Sequence, residues 1–227
     1  MTRFSKAEMN AAAKTIRKQL KNMKGYPASI NMVDMNKKVH KISKAYYMGL
    51  FEAQNIFIMK NGRYPNYVTL NSKANNPLVM DYQDNGYTCG PTSLSMAIQM
   101  LFSYKSEKTC AKECGTIIGS GTTPDKLIAG AKKLGYKVTK INRNSNAVKN
   151  STSKGFPVIA HIQTKPATCL GYVGDYGHYI LIYGMTNDGL YKIADPTKGI
   201  KKCKPSILDK ATNGRSIHYY KVEIIWN

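Results

Sequence analysis

Long apolar runs are missing from this sequence: nowhere do roughly 18 apolar residues stand together, the length a membrane-spanning helix needs, so no membrane span is expected. A secretory leader is missing too. The opening stretch MTRFSKAEMNAAAKTIRKQLKNMKG carries charges every few positions and no apolar centre, which predicts a chain made and folded in a cytoplasm without a signal peptide. Cysteine is scarce and unpaired in pattern: five residues, at 89, 110, 114, 169 and 203, with no C-x-x-C. An odd count without a framework predicts thiols rather than disulfides. Acidic residues are few, 13 Asp and Glu against 34 Lys and Arg, for a net charge of +21.

What is present is an ordinary globular composition, 42% hydrophobic and 21% charged. A length of 227 residues suits one full domain with a smaller appendage. The basic excess is densest early, with 14 basic against 3 acidic residues up to position 75. That bias points to a polyanionic partner for the first third: nucleic acid, an anionic lipid surface or an acidic cell-wall polymer.

The first third also repeats itself. LKNMKGYPASINM (20–32) aligns at an offset of 38 with IMKNGRYPNYVTL (58–70), placing Tyr26-Pro27 on Tyr64-Pro65, Ile30 on Val68 and Leu20 on Ile58. Each copy reads as a helical run, a basic Gly-Tyr-Pro turn and a short extended segment. Between the copies an amphipathic helix is expected, capped by Ser43 with Tyr46, Leu50, Ala53 and Phe57 on one face. TLNSKANNPL (69–78) reads as a linker, so a basic, mainly helical module over 1–75 precedes a second domain over 76–227.

In that second domain a helix is expected over 91–102, with Leu94, Ala97, Ile98 and Leu101 inward, and another over 122–135, with Thr122 or Thr123 as cap, Pro124 at its first position and Gly135 as its stop. Strand candidates follow at 137–141, 156–162, 178–185, 190–196 and 217–226. Helices first and strands afterwards predict an α+β fold with an antiparallel sheet.

Chemistry concentrates at Cys89, in QDNGYTCGPTSLSMAIQMLF. A helix N-terminus favours the thiolate, the nucleophilic form of cysteine, through its unpaired N–H groups and dipole. Gln83 stands six residues earlier, with an amide able to donate to an oxyanion beside the Cys89 N–H. Gly90 would let a substrate approach the backbone. A base is offered by His178, which opens a strand after GDYG, and Asp195 closes the next strand in IADPTKG. A hairpin through TNDG brings the head of one strand beside the end of the other, so imidazole and carboxylate become neighbours. Cys89, His178 and Asp195 form the expected catalytic set, with Gln83 and Cys89 at the oxyanion.

QDNGYTCGPTSLSMAIQML, GHYILIYG and ADP, in that order, resemble the papain-like cysteine peptidases, and within them the bacteriocin-processing double-glycine peptidases. SKAYYMGLFEAQNIFIMKNGRYPNYVTL resembles the pseudomurein-binding repeat, most specifically at NGRYPNYV; the first copy has KGYPASI there. Together the halves resemble the pseudomurein endoisopeptidases of methanogen viruses and proviruses. That resemblance implies hydrolysis of the isopeptide bond between alanine and a lysine side chain in archaeal wall cross-links. It further implies wall contacts at Arg63, Tyr64, Asn66 and Tyr67, a pseudomurein rather than nucleic-acid partner, a monomer, and action on the wall during lysis. No cofactor is required by the chemistry, and a structural divalent cation stays open. Two rival functions remain: a double-glycine leader peptidase, and a polyanion binder on a degenerate peptidase fold.

Other candidates have blander readings. His161 sits inside a strand pattern and reads as a core histidine, while His40 and His218 lack acidic or thiol context. Cys110 and Cys114, one helical turn apart, would supply half a zinc site with no second pair. Asp175 reads as a turn former.

Overall fold

Amphipathic periodicity and capping side chains open most of the helices, and alternating β-branched and aromatic residues form the strands between them. The computed structural model describes residues 1–22, 25–211 and 218–226. Met23 and Lys24, in the first copy's turn, and Ile217, at the head of the last strand candidate, lie outside the described residues. The chain divides into two compact units, Met1–Val79 with Gln99–Tyr104, and Met80–Ile98 with Lys105–Asn227.

The first unit is a duplicated strand–helix–strand. β1 (Arg3–Ser5), α1 (Lys6–Lys21) and β2 (Ser29–Val33) make one copy; β3 (Val39–Ser43), α2 (Lys44–Asn61) and β4 (Tyr67–Thr69) make the other. Pairing exchanges strands between copies. Phe4 lies opposite Val68 in the β1–β4 ribbon, and Ile30 opposite Ile42 in the β2–β3 ribbon. Moved by the 38-residue offset, Phe4 becomes Ile42 and Ile30 becomes Val68, so the two ribbons repeat one register about a pseudo-two-fold. Backbone contacts repeat with it: Lys6 N donates to Asn66 O at 3.0 Å and Lys44 N to Ala28 O at 2.8 Å. So do cation–ring pairs, Lys6 Nζ over Tyr64 at 5.5 Å and Lys44 Nζ over Tyr26 at 5.1 Å.

Capping differs between the copies. The Ser5 side chain accepts from Glu8 N, a contact of the kind that stabilises a helix by about 1 kcal/mol. Ser43 stands at the equivalent place but makes no side-chain cap bond. The inward face of α2 is also shifted from the expected one: Tyr47, Met48, Leu50, Phe51 and Ile58 are buried, whereas Tyr46, Ala53 and Phe57 are only half-buried. The reason is that polar Gln54 and Asn55 share the buried face, and Asn55 Nδ2 donates to Pro77 O at 2.8 Å. The presumed linker is therefore packed. Ser72 carbonyl runs so close over Gly49 that a Cβ there would collide with it, which explains a glycine inside a helix despite its propensity cost.

The second unit carries α3 (Cys89–Met100; its last two residues fall to the first unit), α4 (Glu107–Cys114), α5 (Pro124–Lys133), α6 (Ser145–Ser153) and α7 (Pro205–Leu208). Its strands are β5 (Tyr136–Ile141), β6 (Val158–Gln163), β7 (Gly177–Met185), β8 (Tyr191–Asp195), β9 (Gly199–Cys203) and β10 (Tyr219–Ile224), in the spatial order β5-β10-β6-β7-β8-β9. Every pairing in this sheet is antiparallel, as the α+β class requires. One face is the core of Val158, Ala160, Ile162, Ile180, Ile182 and Ile193, closed by Val148 of α6 and Leu208 of α7. Because α6 lies between β5 and β6, helices do not simply precede strands.

α3 starts two residues earlier than expected, at Cys89, and ends at Met100, with Phe102 at φ 57 beyond it. It is buried on every side rather than along one stripe: Thr92, Ser93, Ser95 and Gln99 are as enclosed as Leu94, Ala97 and Ile98. Polar partners serve three of these, Thr92 Oγ1 donating to Glu107 at 2.7 Å, Ser95 Oγ to Lys105 O at 2.7 Å, and Gln99 Oε1 accepting from Val79 N at 2.8 Å. α5 opens as expected, Thr123 capping and Pro124 at its first position.

Two of the five cysteines are not thiols. Cys169, in a 3-10 turn over Thr168–Leu170, forms a disulfide with Cys203 at the end of β9, their Cα atoms 5.5 Å apart. Cys89, Cys110 and Cys114 remain free.

Candidate active site

β7 and β8 place the acid and the base by register. Leu181 faces Ala194, and continuing that pairing sets Asp195 across from Ile180. His178 lies two residues along on the same face, at the diagonal distance where long side chains meet. Its Nε2 is 3.0 Å from Asp195 Oδ1, with both side chains buried. Cys89 stands near enough to His178 to act on the charge of its ring. The structure thus brings together the three residues read as nucleophile, base and acid, with the half-buried sulfur at the first residue of α3, where a helix favours negative charge.

Burial alone would push His178 down, yet the hydrogen bond to Asp195 and the nearness of Cys89, together with their charges, carry it up from 6.5 to about 9. For Asp195, burial raises and the pairing with His178 lowers; the N–H of Thr197 and the hydroxyl of Tyr172 join the lowering side, and the carboxyl falls below its usual range. Asp195 Oδ1 accepts from Thr197 N at 2.8 Å and Lys198 N at 3.2 Å, the turn that Pro196 begins.

A fourth side chain completes this group and carried no periodic signal in the sequence. Tyr172 hydroxyl donates to Asp195, 2.8 Å from Oδ1 and 3.0 Å from Oδ2, and stands 3.1 Å from His178 Nε2. What could have pointed to it is an aromatic residue six positions ahead of the histidine in a glycine-rich loop, GYVGDYGH.

Gln83 lies against the Asp195 turn. Its N donates to Pro196 O at 3.0 Å and its Oε1 accepts from Thr197 Oγ1 at 3.1 Å, while its Nε2 donates to Asn85 O at 2.7 Å. Glu107 anchors the same loop by accepting from Asp84 N at 3.0 Å. Gly90 is buried, and a Cβ there would sit 3.3 Å from the Tyr179 ring and 3.4 Å from Thr122 Cβ, so glycine also lets the helix start sit close on the sheet.

The remaining candidates sit apart from this group. His161 stacks on Tyr179 at 4.4 Å. His218 accepts from Lys140 Nζ at 2.9 Å. His40 does have an acidic partner, Asp34 at 2.9 Å, which holds that carboxyl below its usual range; the β2–β3 turn brings together residues that sequence distance had separated. Cys110 and Cys114 are buried on α4, and among the described residues no set of three His, Cys, Asp or Glu side chains gathers around a point where a metal could sit. Of the residues read as wall contacts, Arg63, Asn66 and Tyr67 are exposed and Tyr64 is half-buried beneath Lys6.

Residues 78–217 match the model of the Peptidase C39 family. No curated protein matches the chain. Among solved structures, the peptidase domain of Streptococcus ComA, a bifunctional ABC transporter involved in a quorum sensing pathway, is 20% identical over 63% of this chain and 97% of that one, with a TM-score of 0.49. A double glycine motif protease from an AMS/PCAT transporter, solved with its leader peptide, is 19% identical over 63% and 91%, with a TM-score of 0.48. The Streptococcus mutans ComA peptidase domain is 18% identical over 63% and 97%, with a TM-score of 0.40.

Proposed function

The chain belongs to the peptidase C39 family, whose model spans residues 78–217, and from that premise we propose that it is a cell-wall lytic endoisopeptidase that cuts the Ala–Lys isopeptide bond of pseudomurein cross-links. The observation that carries the chemistry is the Cys89–His178–Asp195 cluster at the head of α3. His178 takes the thiol proton and the Cys89 sulfur attacks the isopeptide carbonyl carbon. Gln83 and the Cys89 N–H hold the oxyanion, and His178 returns the proton to the departing lysine amine. Water then cleaves the thioester and frees the alanine carboxylate. Asp195 orients the imidazole and stabilises its charged form.

A leader peptide ending in two glycines would suit the same chemistry. The wall is favoured by the first unit, which is densely basic and carries the NGRYPNYV turn with exposed Arg63, Asn66 and Tyr67. In this reading the module over 1–75 holds the polymer, the peptidase over 76–227 cuts it, and a monomer suffices. The enzyme reaches the wall from within, during lysis.

Cys89→Ala is expected to lower lysis of pseudomurein-walled cells by about 10⁴-fold or more, as loss of a nucleophile does, while retention of the protein on purified walls is unchanged. Undiminished lysis would remove Cys89 from its role.

A further inference from the structure

The proton arithmetic of the Asp195 group points to a further residue. A tyrosine hydroxyl has one proton. Tyr172 directs it to Asp195, whose Oδ1 lies at 2.8 Å and Oδ2 at 3.0 Å, so toward His178 Nε2, at 3.1 Å, only its oxygen lone pairs remain. The carboxylate at 3.0 Å makes the same demand of that nitrogen. Both neighbours of Nε2 are acceptors, which fixes a proton there and leaves Nδ1 as the nitrogen that can take a proton from sulfur.

We propose that Tyr172 is a positioning residue: by accepting from His178 Nε2 and donating to Asp195 it closes a three-membered hydrogen-bonded ring that fixes the imidazole tautomer and its aim at Cys89.

The loop bearing Tyr172 is held on three sides. Thr164 Oγ1 donates to Gly174 O at 2.7 Å and accepts from Tyr176 N at 3.0 Å. Ala167 and Leu170 are sunk in the core of the sheet face that carries His178. Cys169, three residues before Tyr172, is bonded to Cys203, at the end of the strand next to β8. Lys198 Nζ caps the Tyr172 ring at 5.2 Å. Such anchorage suits a side chain whose hydroxyl must stay within a few tenths of an ångström of two partners.

The ionisable groups facing His178 are Cys89 from α3, Asp195 from β8, and Tyr172 and Tyr176 from the loop, with Lys198 beyond the Tyr172 ring. Removing the hydroxyl with Tyr172→Phe leaves Asp195 its bonds to His178, Thr197 and Lys198. The imidazolium, however, loses one acceptor and its fixed orientation.

The test is the pH dependence of Cys89 alkylation by iodoacetamide, read by mass spectrometry on the full chain, with the melting temperature checking that each variant folds. Wild type is expected to keep a reactive Cys89 at pH 6. In Tyr172→Phe the acidic limb should move up by about one pH unit, a roughly tenfold slower alkylation at pH 6, with kcat lowered and KM unchanged once a substrate is in hand. A double Cys169→Ser, Cys203→Ser variant should move the limb in the same direction by loosening the loop. An unshifted alkylation profile in Tyr172→Phe overturns the positioning role even if its melting temperature drops. The inference rests on the triad reading, and the arms separate the two: a wild-type Cys89 without low-pH reactivity defeats the triad, whereas a reactive wild type with an equally reactive Tyr172→Phe defeats only Tyr172.

Discussion

His178 is the residue at which the site's chemistry becomes measurable as stability. Its folded value of about 9 exceeds the ordinary histidine value of 6.5, so the folded state holds its proton more tightly than the unfolded chain does. Stability from this pairing is complete below pH 6.5 and drains away as pH rises through 9, a loss on the order of 3 kcal/mol. At the other end, Asp195, held below its usual range, loses the same interaction as pH falls through its folded value. Asp81, pushed up to about 6 by burial and by Glu107 and Asp84, is already mostly ionised at pH 6.5 and adds only about 0.2 kcal/mol to the change across this window, in wild type and His178→Gln alike. Urea unfolding at pH 6.5 and pH 9 should therefore show wild type losing several times more stability across that interval than His178→Gln; equal losses would contradict the pairing. At this scale the nearness of His178 and Asp195 was legible, because the hairpin between them follows from local pattern. The sequence was opaque where only the fold creates meaning. Tyr172 lies in an irregular loop, and the Cys169–Cys203 bond was hidden by an odd total and by partners 34 residues apart.

Elements with a strong period were readable and those positioned by tertiary contacts were not. The five strand candidates all fall on strands of the large sheet, and the His178–Asp195 hairpin follows from its turn. β9, with Lys201 and Lys202 in its middle, and α4, whose buried positions include Glu107 and two cysteines, offered no clean apolar pattern. The 38-residue repeat was visible as similarity, but strand exchange between its copies was not, because pairing partners are not encoded in local pattern. That exchange gives the proposed wall contact a sharper form. Arg3 lies over the Tyr67 ring at 4.7 Å on the β1–β4 ribbon, and Tyr67 is 42% exposed. The equivalent places on the β2–β3 ribbon hold Lys41 and Ser29, without an aromatic face. If the polymer is gripped at the intact half-site, a double Arg3→Ala, Tyr67→Ala variant should bind purified walls about tenfold more weakly, the loss of about 1.4 kcal/mol. Lys41→Ala should bind as wild type does. Co-sedimentation with pseudomurein measures both, and equal weakening would favour a diffuse charge effect over a site.

For the molecule as a whole, a net charge of +21 and a C39 peptidase domain are the two facts on which the proposal of an enzyme with an anchor rests. Charge brings a polymer near with little selectivity and weakens in salt, so bond choice must come from the peptidase site. The family match and the antiparallel α+β fold agree with the papain-like class that the order of Gln, Cys, His and Asp suggested. Which amide is cut is a question of products. The most direct measurement is mass spectrometry of peptides released from purified pseudomurein by the wild-type chain, with Cys89→Ala alongside. The account predicts fragments with a free lysine ε-amine and a free alanine carboxylate, from the wild type alone. Release of fragments cut at any other bond, equal release by both proteins, or no release by the wild type would contradict it.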